Sequence, residues 1–221
     1  ALAQIDTTVA ALESNVRRIL DALSRARALG ADLAVFPELT LTGYPPKDLL
    51  ALPGFVESNL KALDDLVRQV SRPAALVGFV DRSPAGLGKG LANAAALLAG
   101  GAVVSRYHKW LLPTYDVFDE GRYFDPGQTA EPVAFGGMRL GVTICEDMWN
   151  DAVFWEKRRL YDRDPVETLA ARGADLMINL SASPFCLGKR PVKQRMLAAA
   201  ARRHRTPIVY VNLAAGNDSL I

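Results

Sequence analysis

Three residues far apart in the chain could together do chemistry: Glu38, Lys109 and Cys145. Glu38 closes the run Ala34-Val35-Phe36-Pro37, Lys109 follows the extended run Val103-Val104-Ser105-Arg106-Tyr107-His108, and Cys145 follows Leu140-Gly141-Val142-Thr143-Ile144. A carboxylate, an ammonium and a thiol at three strand ends are the parts needed for acyl transfer through a thioester. The thiolate is the nucleophile, and a free thiol has a pKa of about 8.5. A nearby cation would favour the thiolate, and a positioned carboxylate could take the proton. Open α/β sheets place their chemistry just beyond the carboxyl ends of strands.

Each residue also has an ordinary reading. A cysteine at a strand end is commonly a small buried hydrophobe, Glu38 could cap a helix, and Lys109 could be an exposed lysine at the start of a loop. The coincidence of the three carries the chemical reading. A Cys145-His108 pair is a competing scheme, but neighbouring strand residues point to opposite faces. If Lys109 faces the site, His108 faces the core. His204 lies in the basic helix end Arg202-Arg203-His204-Arg205 and reads as structural. Gly86-Leu87-Gly88-Lys89-Gly90 lacks the spacing and the Ser/Thr of a phosphate loop and reads as a flexible loop. No Cys/His cluster has metal-ligand spacing, so no metal is expected.

The elements that must hold the three residues follow from periodicity. Residues 2–5 read as a first strand. Leu12, Val16, Ile19, Leu20, Leu23 and Ala26 form one helical face, and Gly30 is placed to stop it. Residues 33–36 read as a short buried strand. Val56, Leu60, Leu63, Leu66, Val67 and Val70 mark a second helix. Residues 75–80, 92–98 and 103–108 are strand-like, with Gly100-Gly101 as a hairpin turn between the last two. Strands at 139–144, 176–180 and 208–212 alternate with helices at 165–172 and 192–204. The alternation predicts an α/β domain, and the adjacent strands predict mixed rather than purely parallel sheets.

Bulk properties narrow the function. The 221 residues are half hydrophobic, enough for a sizeable core. Against 24 acidic residues stand 26 Lys and Arg, a formal charge of +2 that gives no support for a nucleic-acid or anionic-membrane surface. Two cysteines in unlike contexts point to a reducing compartment. No apolar run approaches the ~20 residues that span a bilayer, and no signal-peptide pattern is present. The chain opens inside an apolar run and ends within Gly216-Asn217-Asp218-Ser219-Leu220-Ile221, which reads as part of a longer protein.

Phe36-Pro37-Glu38, His108-Lys109-Trp110-Leu111-Leu112-Pro113 and Cys145-Glu146-Asp147 resemble the nitrilase (carbon-nitrogen hydrolase) superfamily. That resemblance implies an α/β fold, a nitrilase-like α-β-β-α sandwich with mixed β-sheets, and a Glu-Lys-Cys triad at Glu38, Lys109 and Cys145. The stretch Leu41-Thr42-Gly43-Tyr44-Pro45-Pro46-Lys47-Asp48-Leu49-Leu50, together with Cys145-Glu146-Asp147-Met148-Trp149 and Ala182-Ser183-Pro184-Phe185-Cys186-Leu187-Gly188-Lys189, is similar to the N-terminal glutaminase domains of glutamine-dependent NAD synthetases. It implies that residues 1–221 are one nitrilase-like glutamine amidohydrolase domain, truncated at its C-terminal end. The C-terminal synthetase domain, where ATP and Mg are expected, is absent; no cofactor is expected in this domain. The resemblance further implies that Tyr115 lines the glutamine pocket, that Glu146, Ser183 and Lys189 contact the amino-acid head, and that Glu120 is an accessory carboxylate beside the triad. L-Glutamine, the synthetase domain of the same chain and further copies of the protein are the implied partners, in the cytoplasm. A stand-alone amidase or nitrilase, or a catalytically idle binding domain, are the alternatives.

Overall fold

The computed structural model describes residues 1–84, 88–155 and 159–217. Two four-stranded mixed sheets lie face to face, with a pair of helices on each outer side. The first half supplies α1 (Leu12–Ala28), β1 (Leu33–Val35), α2 (Phe55–Val67), β2 (Ala74–Arg82), β3 (Leu91–Ala99) and β4 (Ala102–His108). The second half supplies β5 (Val133–Phe135), β6 (Met138–Ile144), α3 (Pro165–Ala171), β7 (Leu176–Ser181), α4 (Lys189–His204) and β8 (Ile208–Asn212). Strand order is β1-β2-β3-β4 in one sheet and β5-β6-β7-β8 in the other. The first sheet has a single parallel pair, β1 with β2; in the second, β6, β7 and β8 run parallel and β5 antiparallel.

Strand alternation builds the layers. On β2, Ala74 and Leu76 face the second sheet, while Ala75, Val77 and Phe79 pack with Ile19, Leu23, Leu63 and Leu66 of α1 and α2. β3 divides likewise into Ala95 and Leu97 on one face and Ala94, Ala96 and Leu98 on the other. Burial on both faces explains why these strands read as continuous apolar runs. Behind the second sheet, Gly141 of β6 and Met177 of β7 face Leu169 of α3, and Val166 of α3 and Met196 of α4 belong to the same apolar cluster. The β3–β4 hairpin turns on Gly100 and Gly101 at φ +57° and +77°, the left-handed geometry that glycine adopts without strain. Asp164 caps α3 by accepting from the Glu167 N–H at 3.0 Å, with Pro165 at the first helical position.

Two expectations need correction. Residues 2–5 are not a strand: Leu2 makes an isolated parallel bridge to Val35, with the Ala3 N–H donating to the Val35 carbonyl and the Val35 N–H to the Ala1 carbonyl. The segment Leu2-Ala3-Gln4-Ile5 therefore overstated a pairing with β1 that involves only Ala1, Leu2 and Ala3. His108 does not enter the core either. Its Nε2 lies 3.0 Å from the Asp81 carboxylate, and it lines a surface cavity of about 410 Å³ with Arg82 and Arg106. The alternation argument placed it on the right side of β4, but polar partners on the neighbouring β2 and β4 positions make that side wet. The Gly86-Leu87 part of the glycine-rich loop lies outside the described residues.

Candidate active site

Glu38 sits in the turn that follows β1. That turn is laid directly against β2 at Gly78, where a Cβ would fall 2.4 Å from the Leu39 nitrogen and 2.6 Å from the Pro37 carbonyl oxygen. Leu39, next to Glu38, adopts φ +46°. Lys109 follows β4 and is held by its own backbone: its N–H donates to the Asn93 carbonyl at 2.8 Å and its carbonyl accepts from Gly127 at 2.7 Å. Cys145 begins a short 3-10 turn, Cys145–Met148, at the end of β6. Its φ of +43° is a left-handed conformation that costs a non-glycine residue energy and occurs where a side chain must be aimed.

The fold gathers these ends around a buried polar knot. The Lys109 ammonium is fully buried and donates to Glu38 Oε1 at 2.7 Å and to both oxygens of Glu120 at 2.8 and 2.9 Å. Asn93 Nδ2 donates to Glu38 at 2.8 Å and Glu120 at 3.3 Å. Tyr44 donates to Glu120 at 3.1 Å, and the Ala182 N–H donates to the second oxygen of Glu38 at 3.0 Å. Each oxygen of both carboxylates therefore has a donor.

Electrostatics follow from this packing. Burial works against the Lys109 ammonium, yet Glu120 and Glu38 together hold its pKa well above the usual lysine value. Burial pushes Glu120 up to about 7, against the pull of Lys109. Cys145 is only 4% exposed. Burial, and then the Glu38 charge, push its thiol well above the usual range, while Lys109 and a hydrogen bond from Ser181 pull less strongly the other way. At rest Cys145 is thus a neutral thiol, not the thiolate that a nearby cation alone would suggest.

Beside the thiol, Glu146 is buried and has tyrosines rather than cations as partners. Tyr115 donates to its two oxygens at 2.9 and 2.8 Å, and Tyr161 to one at 3.2 Å. Burial holds Glu146 above the ordinary carboxylate range despite those phenols. Lys189 lies 5.2 Å above the Trp149 ring, and its charge acts on Glu146. Ser183 is buried, its backbone doubly bonded to the Asn212 side chain at 2.9 and 3.1 Å. Lys193, one helical turn beyond Lys189, stacks on Tyr210 at 4.9 Å. The triad candidates, the accessory Glu120 and the head-group candidates Tyr115, Glu146, Ser183 and Lys189 thus fall into one region. His108 faces away from it.

Several contributors escaped the sequence reading. Asn93 had a signal, as a lone amide in the strand Leu91-Ala92-Asn93-Ala94-Ala95-Ala96. Tyr44, Ser181 and Tyr161 had none, because their partners come from distant segments. A cavity of about 260 Å³ lined by Leu39, Tyr44, Leu50, Phe118, Glu120 and Phe124 reaches the Glu120 side of the knot. Among the described residues no group of three or more His, Cys, Asp or Glu is placed to hold a metal ion.

Comparison with known proteins gives a consistent picture. Residues 1–220 match the family described as Carbon-nitrogen hydrolase. A glutamine-dependent NAD(+) synthetase from Synechocystis sp. is 43% identical over 225 residues, covering all of this chain and 40% of that protein. The structure of glutamine-dependent NAD+ synthetase from Acinetobacter baumannii in complex with ADP superposes with a TM-score of 0.88 at 31% identity, covering all of this chain and 39% of that one. An amidase from Nesterenkonia AN1, of the nitrilase superfamily, superposes with a TM-score of 0.81 at 25% identity over all of this chain and 78% of the amidase. A structure of a mutant of that amidase, in which a glutamine replaces a glutamate, shows the result of Michael addition of acrylamide at the active site cysteine. The chain spans about two-fifths of the synthetases it matches.

Proposed function

Because this chain belongs to the carbon-nitrogen hydrolase family, we propose that it hydrolyses the side-chain amide of L-glutamine through a thioester on Cys145. The observation that carries this reading is the buried Lys109, bridged to Glu38 and Glu120, at the strand end beside the Cys145 turn. Glu38 takes the thiol proton as sulfur attacks the amide carbon. The negative charge that develops on the amide oxygen is met by the Lys109 ammonium. The proton on Glu38 passes to the departing nitrogen, which leaves as ammonia. Water then adds to the thioester, Glu38 again accepting its proton, and glutamate departs as the thiol is restored. Glu120 keeps Lys109 charged and in place, and the tyrosine-held Glu146 receives the substrate ammonium. Lys189 and Ser183 suit the substrate carboxylate, so the head pocket carries both signs of charge.

The relatives' names and lengths support a further step outside these residues: the ammonia feeds ATP-dependent amidation of deamido-NAD by a C-terminal synthetase domain, with ATP and Mg bound there. A cytoplasmic homo-oligomer is proposed on the family resemblance alone. No helix of the described residues is long and apolar enough to cross a membrane. The test is glutamine hydrolysis by the full-length protein and its Cys145→Ala variant, read as ammonia and glutamate release. The variant is expected to lose at least 1000-fold while remaining folded. Residual turnover near the wild-type rate would remove Cys145 as nucleophile.

A further inference from the structure

We propose that Asp147 is a positioning residue that sets the register between the Lys109 strand end and the Cys145 turn; this rests on the reading of those two residues as catalytic. Asp147 is fully buried, two residues beyond the nucleophile. Its carboxylate collects four donors from both sheets. Oδ1 accepts from the Trp110 N–H at 3.1 Å and the Leu111 N–H at 2.9 Å, the two backbone groups directly after Lys109. Oδ2 accepts from the Ile144 N–H at 2.9 Å, directly before Cys145, and from the Tyr107 hydroxyl at 2.8 Å, two residues before Lys109. Lys109 and Cys145 arrive on different sheets, and this carboxylate joins the backbones on either side of them.

The chemistry of the partners requires a carboxylate. Three of the four are backbone N–H groups that can only donate, one on one carboxylate oxygen and two on the other, so an amide NH₂ in place of either oxygen leaves at least one N–H unsatisfied. In Asp147→Asn the amide oxygen can keep one pair of donors, but its NH₂ then faces the other. If it faces the Ile144 N–H, the turn bearing Cys145 is released. If it faces Trp110 and Leu111, the loop bearing Lys109 is released. A misplacement of about 1 Å between reacting groups can cost on the order of 100-fold in rate. Asp147 itself touches no substrate in this scheme, so its removal should act mainly on kcat, with a smaller effect on KM because Glu146 lies in the same turn.

The experiment compares full-length wild type, Asp147→Asn and Tyr107→Phe. Glutamine kcat is normalised per folded molecule by near-UV circular dichroism. Asp147→Asn is expected to lower kcat about 100-fold, with a clearly smaller change in KM. Tyr107→Phe, which keeps the carboxylate and removes one donor, is expected to lower kcat three- to tenfold at unchanged KM; it also decides the matter if Asp147→Asn does not fold. A kcat per folded molecule within twofold of wild type in the folded variants, or a change confined to KM, overturns the proposal. Acrylamide gives a readout independent of glutamine. The Cys145 sulfur adds to its terminal carbon, the thiol proton ends on the carbon beside the carbonyl, and nothing leaves. Peptide mapping separates this adduct from one on the exposed Cys186. Labelling of Cys145 should slow at least tenfold in Asp147→Asn, or measurably in Tyr107→Phe if only that variant folds; equal rates overturn the role of Asp147. Wild type that labels but turns over no glutamine sinks the substrate reading, and the labelling comparison still decides the role of Asp147.

Discussion

Replacing Lys109 by methionine keeps most of the buried aliphatic stem and removes the charge. Three contacts of 2.7 to 2.9 Å to Glu38 and Glu120 disappear, leaving two buried carboxylates without a cation. Breaking one side of a buried ionic cluster typically costs about 3–5 kcal/mol. The cost should depend on pH, with a sign that follows from burial. A carboxylate whose folded pKa is raised contributes stability below its unfolded pKa of about 4.3 and loses it as pH rises through the folded value, at about 1.4 kcal/mol per pH unit. In wild type Glu120 is raised to about 7. Between pH 5.5 and 7 that group alone should cost about 2 kcal/mol. Without Lys109 the Glu120 pKa rises further, because the charge that opposed the effect of burial is gone, so the loss extends to higher pH at about 1.4 kcal/mol per pH unit. The stability gap between wild type and variant should therefore widen above pH 7, by at most about 2 kcal/mol up to pH 8.5. Urea unfolding at the two pH values measures this, and glutamine turnover measures the lost oxyanion donor, expected to cost about 10²–10³ in kcat. A gap that stays constant with pH would refute the account of the buried knot. Turnover within tenfold of wild type would refute the assignment of Lys109 to the oxyanion.

Two further perturbations probe the surroundings of the triad. Glu146→Gln removes the only charge on a side chain that Tyr115 and Tyr161 hold beside the thiol; steady-state kinetics should show KM for glutamine rising at least tenfold, with a smaller effect on a neutral aliphatic amide. Gly78→Ala places a methyl group 2.4 Å from the Leu39 nitrogen and 2.9 Å from the Glu38 carbonyl carbon, so the Glu38 turn must move; kcat should fall at least tenfold alongside a stability loss of about 1–3 kcal/mol in chemical denaturation, and an unchanged kcat would show that this turn need not sit against β2.

Much of the architecture was already present in local pattern. The faces of α1 and α2, the Gly100-Gly101 turn and the buried runs of β2, β3, β6 and β7 follow from side-chain period and turn chemistry, which act over a few residues. Strand β5 escaped because three residues, Val133–Phe135, carry no period; β6 and the turn at Gly136 and Gly137 recruit it. The short turn at Cys145–Met148 escaped because its shape comes from the Asp147 bond to Ile144, not from helix propensity.

The residues able to do chemistry were legible one by one, since a thiol, a lysine and a glutamate at strand ends announce themselves by type and place. Their protonation was not. Type alone suggested a cation-stabilised thiolate at Cys145, whereas burial and the Glu38 charge keep it a thiol. Nor could sequence supply Asn93, Tyr44 or the Ala182 N–H as donors, because those contacts join segments 27 to 144 residues apart. Side-chain identity and local spacing determine which groups are available and which strands deliver them. Only the meeting of two sheets decides which charges share a dry space, and there the balance of desolvation against pairing sets what each group can do.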